Sequence, residues 1–297
     1  MSNESTTAAK NTYIFIDGSY FCFYRYYSLM TWWRNAYPEI PLDNPIENED
    51  FVNKYRSTFI DNVEQIGKKL KIVTKKSPTL PTIYVGKDCP RLNIWRQSIY
   101  PEYKATRDKD DGFLGGPFFK MAYDEDLFII GGAKAILKHP KLEADDCIAI
   151  TVKQLLQAEP ECKIYIIASD KDYLQLASDR VQIYTLAYKN ISDSKSSHGN
   201  KEMDLFCKIV MGDVSDNIKA IIPKCGPKTA LKLYENQELF EEKLKDPVVK
   251  ANYERNRILV DFNYIPEQYV KEFLLRSSNT NTNSNTNNII LIEEEDE

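Results

Sequence analysis

Histidine is almost missing from this chain of 297 residues, which carries only His139 and His198. Mechanisms built on a histidine base or on paired histidine ligands therefore have almost no material. His139 precedes Pro140 and His198 sits in a Ser-rich loop, so both read as structural or solvent-facing. The six cysteines (Cys22, Cys89, Cys147, Cys162, Cys207, Cys225) form no C-x-x-C pair. Neither a zinc ribbon nor a disulfide framework is indicated, and they read as reduced core residues. No apolar stretch approaches the roughly 20 residues of a membrane span, and the polar start MSNESTTAAKNT has no signal-peptide core. The expectation is a soluble, intracellular protein with no membrane partner. A basic excess is missing as well. The net charge is −5, whereas a basic domain is the usual footprint of a nucleic-acid binder.

That last objection weakens once the acids are sorted. Nine fall in three short clusters and two single positions: Asp17; Asp88; Glu143, Asp145 and Asp146; Asp170 and Asp172; Asp213 and Asp216. The tail IEEEDE holds five more of the 44 Asp and Glu, and the rest are outnumbered by 39 Lys and Arg. Three of the nine close apolar runs that read as strands, Thr12 to Asp17 (TYIFID), Thr82 to Asp88 (TIYVGKD) and Lys163 to Asp170 (KIYIIASD). In an open parallel sheet the carboxyl ends of the strands meet at one edge, where ligands bind, so these acids are expected to converge. Like charges that close raise one another's pKa, and cations relieve them. Oxygen-only ligand sets select hard ions such as Mg²⁺ or Mn²⁺, and paired ions of that kind serve phosphodiester hydrolysis.

Strand and helix alternate to about residue 190, after which the pattern turns helical. Phe51, Tyr55, Phe59, Val63, Ile66 and Leu70 recur at helical spacing within 50–73, and Cys147 to Leu156 do so within 145–158. A further strand, VQIYTL, is expected over Val181 to Leu186. The order strand, helix, strand implies an α/β fold with a parallel sheet, and 42% hydrophobic content allows a sizeable core in one large domain or two modest ones. SDSKSSHGNK, from Ser192, reads as a loop between domains, and SSNTNTNSNTNN, from Ser277, as an unfolded linker to IILIEEEDE.

Each acidic cluster has an ordinary alternative. Glu143, Asp145 and Asp146 precede a helix, where acids often serve as caps. Asp170 and Asp172 fit a plain turn. Asp17 in FIDGSY and Asp88 in GKDCP are weak signals singly; their joint occurrence at strand ends carries the reading. The stretch KAIIPKCGPKTALK adds Lys219, Lys224, Lys228 and Lys232 without an acid, around a Pro and Gly turn with Pro227 at a helix start. A helix, a tight turn and a second helix with exposed amides and lysines make a backbone-phosphate clamp; a solvated lysine face is the alternative. Asp213 and Asp216, in GDVSDN, stand at this hairpin's entrance.

FIDGSY (15–20), PEYKATR (101–107), EADD (143–146), ASDKDY (168–173), GDVSDNI (212–218) and PKCGPKTA (223–230) together resemble the structure-specific 5′-nucleases. These include flap endonucleases, the 5′-nuclease domain of bacterial DNA polymerase I, and phage enzymes also called ribonuclease H. RNRILVDFNYIP (255–266) is similar to the phage branch. The resemblance implies a PIN-like parallel sheet flanked by helices over 13–198, with a helical arch near 104–123. It further implies a helical DNA-binding region of the H3TH type over 199–276, and disordered tails at 1–12 and 277–297. By resemblance the nine acids are ligands of two or more Mg²⁺ ions, or support those ligands, and a K⁺ ion joins the hairpin's grip on duplex DNA. Lys104 and Arg107 match the cationic pair at the base of the arch, where positioned charge stabilises the phosphate in the transition state. Tyr103, Lys219, Lys224, Gly226, Lys228, Thr229 and Lys232 are the expected DNA contacts. DKDDGFLGGPFFKMAY suits a mobile arch on which bases stack.

The implied activity is phosphodiester hydrolysis at 5′ flaps, 5′ ends or RNA primers in DNA replication and repair, by a monomer. Branched DNA and RNA–DNA primer junctions are the implied substrates, and the C-terminal tail is a candidate peptide for a replisome partner. The site of action would be cytoplasm, nucleus or a viral replication compartment. Two departures stand out: Lys224 takes a place where the family has Gly, and Tyr24, followed by Arg25, takes the place of an arginine seven residues after the first aspartate. A non-catalytic binder of branched DNA on the same fold is the alternative, and it would show substitutions among the acids. An aspartyl-phosphate phosphatase needs a second Asp two residues after the first, where Ser19 stands.

Overall fold

The computed structural model describes residues 11–75, 79–108, 112–194 and 197–279. Five strands, β1 (Thr12–Asp17), β2 (Thr82–Gly86), β3 (Ala133–Leu137), β4 (Lys163–Ile167) and β5 (Val181–Tyr184), form one sheet in the order β3-β2-β1-β4-β5. Every pairing is parallel. Among the described residues ten α-helices accompany it: α1 (Gly18–Ala36), α2 (Glu49–Lys69), α3 (Gly116–Asp124), α4 (Leu127–Ile130), α5 (Ala144–Ala158), α6 (Lys201–Met211), α7 (Pro227–Glu235), α8 (Gln237–Leu244), α9 (Pro247–Val260) and α10 (Glu267–Asn279). No described helix is long and apolar enough to cross a membrane.

The sheet is buried on both faces, as parallel sheets are. Along β1 the residues alternate: Tyr13 and Phe15 join α5 and β4 in one core, while Ile14 and Ile16 join α1, α2, α3 and α4 in another. All six cysteines are buried and unpaired. Gly86 admits α5 closely, since a Cβ there would meet the Ala144 carbonyl at 2.8 Å and the Ile148 side chain at 2.9 Å. The first turn of α5 is thereby brought to the sheet's carboxyl edge.

Strand order reverses beside β1, whose neighbours are β2 and β4, and the crevice beyond the carboxyl ends at such a switch is where ligands bind in open α/β sheets. The strands end earlier than the apolar runs suggest. Only Asp17 lies within its strand, while Asp88 and Asp170 follow β2 and β4 in the loops. β3 has no counterpart in the sequence reading, because AKAIL is short and Lys134 interrupts it.

Within the segment expected to form the arch, Gly116–Asp124 is a helix with Phe118 fully buried, and Phe113, Phe119 and Tyr123 lie against the same core. In the helical stretch after 198, Cys207, Ile221, Ala230 and Phe240 build a small core of their own, whereas Phe262, Ile265 and Phe273 join the sheet's core with Phe15 and Ile164. At the ends, β1 begins at Thr12 and α10 continues to Asn279, inside the tails expected at 1–12 and 277–297; the remainder of both tails lies outside the described residues.

Candidate active site

Asp17 ends β1 and caps α1, its Oδ1 accepting from the Tyr20 amide at 2.9 Å and its Oδ2 from the Tyr173 hydroxyl at 3.1 Å. Asp88 faces the first turn of α5, accepting from the Ala144 amide at 2.8 Å and from the Ser19 hydroxyl at 2.6 Å. Burial, and then Asp88, push the Asp17 carboxyl up to about 7.

Glu143 and Asp146 bracket the start of α5 around a cation the sequence did not single out. Arg96, 2% exposed, donates to Glu143 at 2.8 Å and to both oxygens of Asp146 at 2.8 and 2.7 Å. Trp95 adds a hydrogen bond to Asp146 at 2.9 Å. With both oxygens engaged, Asp146 is an ion-pair partner here rather than an open ligand. Oxygens of Glu143, Asp145 and Asp146 all lie within 4.8 Å of one another. Burial and Asp146 hold the Asp145 carboxyl well above the usual range.

Lys104 reaches the same group. Its ammonium contacts Glu143 and lies 3.8 Å from Asp216, while Arg107 donates to Asp216 at 2.7 Å. Against burial, Lys104 and Arg96 hold the Glu143 carboxyl below its ordinary value. At Asp216 burial wins over both cations and the pKa is raised. Tyr103, expected to touch DNA, is instead 3% exposed, its hydroxyl bonding Glu143 at 3.0 Å and Asp216 at 3.3 Å.

The remaining acids surround a second cation missed in the sequence, Lys208 of α6. It contacts Asp172, pairs with Asp213 at 2.9 Å and lies 3.8 Å from Asp170. Asp170 accepts from the Asp172 amide at 2.9 Å. Burial foremost, aided by Asp170 against Lys208, pushes Asp172 up to about 7. Against burial, Lys208 and Ser215 hold Asp213 down to about 2. The structure thus brings all nine acids to one edge, with Asp17, Asp88 and Asp170 on the strand side and Asp213 and Asp216 arriving from the turn after α6. Lys208 lies five residues before Asp213, on a helix that otherwise reads as ordinary amphipathic sequence. Arg96 sits in a short 3₁₀ helix, Trp95–Ser98, whose sequence signal is no more than a cation beside Trp95.

The turn after α6 opens the hairpin. Gly212 has φ 72°, and a Cβ there would meet the Ile218 carbonyl at 2.3 Å, so the sharp exit requires glycine. Asp213 and Ile218 then close the loop through their backbones at 2.9 and 2.7 Å. Lys224 has φ 57°, the left-handed region that favours Gly. Gly226 caps α7, Thr229 is half-buried in its first turn, and Lys224, Lys228 and Lys232 are exposed. These three make no ion pair among the described residues, and Lys219 faces Glu102 at 3.6 Å. Buried Asn256 of α9 fastens the hairpin by donating to the carbonyls of Ile209 at 2.9 Å and Lys219 at 2.8 Å. His139 and His198 stand outside the acid group, bonded to Glu272 and Asp204.

Fold and site together define a resolvase-like α/β protein of the nuclease class. Residues 12–204 match the model of the 5′-3′ exonuclease N-terminal resolvase-like domain, and the chain belongs to that family. The phage T4 protein named Ribonuclease H is 28% identical over 224 residues, covering 67% of this chain and 70% of that protein. The 5′-3′ exonuclease of Mycoplasmopsis pulmonis is 27% identical over 217 residues, 70% of this chain and 68% of the relative. DNA polymerase I of Treponema pallidum is 34% identical over 148 residues, which span 47% of this chain and 14% of the polymerase. The T5 D15 protein, solved with metal ions, shares the fold, with a TM-score of 0.59 over 89% of this chain and 97% of that one at 18% identity.

Proposed function

We propose that this chain is a divalent-metal-dependent 5′-nuclease that hydrolyses phosphodiester bonds at 5′ flaps, 5′ ends or RNA primers in DNA replication and repair. The observation that carries the reading is the dual use of one short segment. Residues 213–218 bring Asp213 and Asp216 to the acidic edge and also open the lysine-bearing hairpin. Nucleic acid held by the hairpin would lie beside the acids.

The donor set fits a hard divalent cation: every donor is a carboxylate oxygen, and burial foremost, with neighbouring acids, raises Asp17 and Asp172 to about 7, a cost that a bound cation would offset. Asp17, Asp88, Glu143, Asp145, Asp170, Asp172, Asp213 and Asp216 would hold Mg²⁺ or Mn²⁺, with Asp146 supporting them through Arg96. Bound divalent ions supply a water of lowered pKa and neutralise charge on the phosphate. Lys104 and Arg107 sit at the mouth of the edge, where preorganised cations stabilise charge that grows on the phosphate oxygens. Lys224, Lys228 and Lys232, with the free amides at the start of α7, suit a backbone-phosphate clamp. A K⁺ ion at the hairpin rests on resemblance alone.

The test is cleavage of 5′-labelled single flaps, pseudo-Y duplexes and nicked RNA–DNA duplexes with Mg²⁺, with Mn²⁺ and in excess chelator. Cleavage in either metal and none in chelator is expected. Undiminished cleavage in chelator would overturn the metal reading, and tight binding without cleavage in every metal would establish the non-catalytic alternative.

A further inference from the structure

Arg25 has no counter-charge among the described residues. It lies half-buried on α1, its guanidinium 5.8 Å from the Tyr24 ring, and its Nε is shielded from water with no acceptor among the described residues. No described carboxylate pairs with it. Partly buried charges are normally paired, because desolvation without a partner is unfavourable. A second cation, Lys69 at the end of α2, sits 5.7 Å from the Tyr188 ring, and its only polar partner among the described residues is the neutral amide of Asn62 at 2.9 Å. Burial and Arg25 both work against the Lys69 charge, and burial works against that of Arg25. The two cations thus share one neighbourhood in which aromatic rings, and no acid, surround them.

The loop that carries Tyr188 has the character of a clamp. Tyr188 is held at φ 57°, an unfavourable conformation for a bulky side chain, by its amide's bond to the Thr185 carbonyl at 2.8 Å. Such outliers gather at ligand contacts. The loop follows β5, so it lies on the carboxyl edge of the sheet, and the Leu186 amide donates to the Tyr20 hydroxyl at 3.0 Å. Tyr20 stands in the first turn of α1, three residues after Asp17, and its ring is 6.1 Å from that of Tyr24. A row of rings therefore leads from the acids to the uncompensated cations, away from α6 and α7.

We propose that Arg25, Lys69 and Tyr188 form a second phosphate-binding site, which takes a backbone phosphate of the nucleic acid where it runs from the acidic edge along α1. The proposal rests on the nuclease reading. It differs from the hairpin clamp in lying on the helices α1 and α2 that cover the other face of the sheet.

The experiment is a salt titration of binding by the full chain, in chelator so that no strand is cut. Three nucleic acids are compared: a 5′-flapped duplex, the same duplex without a flap, and the flap strand alone. The variants are Lys69→Gln, Arg25→Gln, the double substitution, and Arg25→Lys. Lys69→Gln and Arg25→Gln should each weaken binding and lower the slope of log K against log salt by about 1, while Arg25→Lys restores most of it. Loss confined to flap-bearing molecules assigns the phosphate to the single strand, and loss on every duplex assigns it to the duplex. Unchanged slopes for Lys69→Gln, at an exposed position, overturn the site even if Arg25→Gln fails to fold. If the parent protein binds none of the three, the nuclease reading itself falls; if it binds and the variants match it, only this site does.

Discussion

Lys208 and Asp213 stand on either side of Gly212, and a 2.9 Å ion pair joins them across the turn. The same ammonium contacts Asp172, so one side chain ties the end of α6 to the loop after β4. In the absence of metal it is the main counter-charge for Asp170, Asp172 and Asp213. Lys208→Met should destabilise the metal-free protein by up to about 3–5 kcal/mol, reduced by whatever Asp172 recovers in taking a proton. Mg²⁺ should restore about 2.7 kcal/mol at a hundredfold excess over its Kd. Thermal unfolding in chelator and in Mg²⁺ checks this, and equal losses in both would refute it.

Lys104 combines an ion pair to Glu143 with a place beside the acidic edge. Lys104→Ala should lower single-turnover cleavage on the order of 10²-fold while weakening flap binding far less, because the hairpin still holds the duplex. An affinity loss as large as the rate loss would make Lys104 a binding residue.

At Lys224 the prediction has two signs. Glycine at φ 57° relieves a left-handed conformation that disfavours other residues by roughly 1–2 kcal/mol, partly offset by glycine's own entropy on folding. Lys224→Gly should raise the Tm and also lower the salt slope of duplex binding by about 0.9. A raised Tm with an unchanged slope would remove Lys224 from the clamp.

His139 is buried against Tyr269 and bonded to Glu272, both on α10. Burial holds its pKa below the ordinary 6.5, so the unfolded chain takes up the proton first. The stability that the neutral ring contributes is full above 6.5 and is lost as pH falls from there through the folded value. Tm measured from about pH 7 to about pH 5 in Mg²⁺ should fall more steeply for the parent than for His139→Gln. Parallel curves would show that the ring's burial does not govern the docking of α10.

The strands were legible where β-branched and aromatic residues run together, as in TYIFID and KIYIIASD, and the acids were legible because they follow such runs. Cations that neutralise acids across the fold leave no comparable trace. Arg96 meets Asp146 only because Gly86 lets α5 approach β2, and Lys208 meets Asp172 only because α6 returns to the loop after β4. The packing of the aromatic residues after 111 was illegible for a related reason. Glycine beside Phe and Tyr fits a mobile stacking loop and a packed helix equally well, and only the fold shows Phe118 buried beneath α1 and α2.

The acids also serve the backbone. Asp17 caps α1, Asp170 caps the turn that follows it, and Asp88 satisfies the Ala144 amide at the start of α5. Truncating a cap of this kind typically costs ~1 kcal/mol. A descendant that lost all catalysis would still be held to these three residues by the demands of folding. Their persistence in a lineage would therefore say little about retained chemistry. Asp145, whose side chain accepts from the Asp146 amide at 2.7 Å in the first turn of α5, falls under the same constraint.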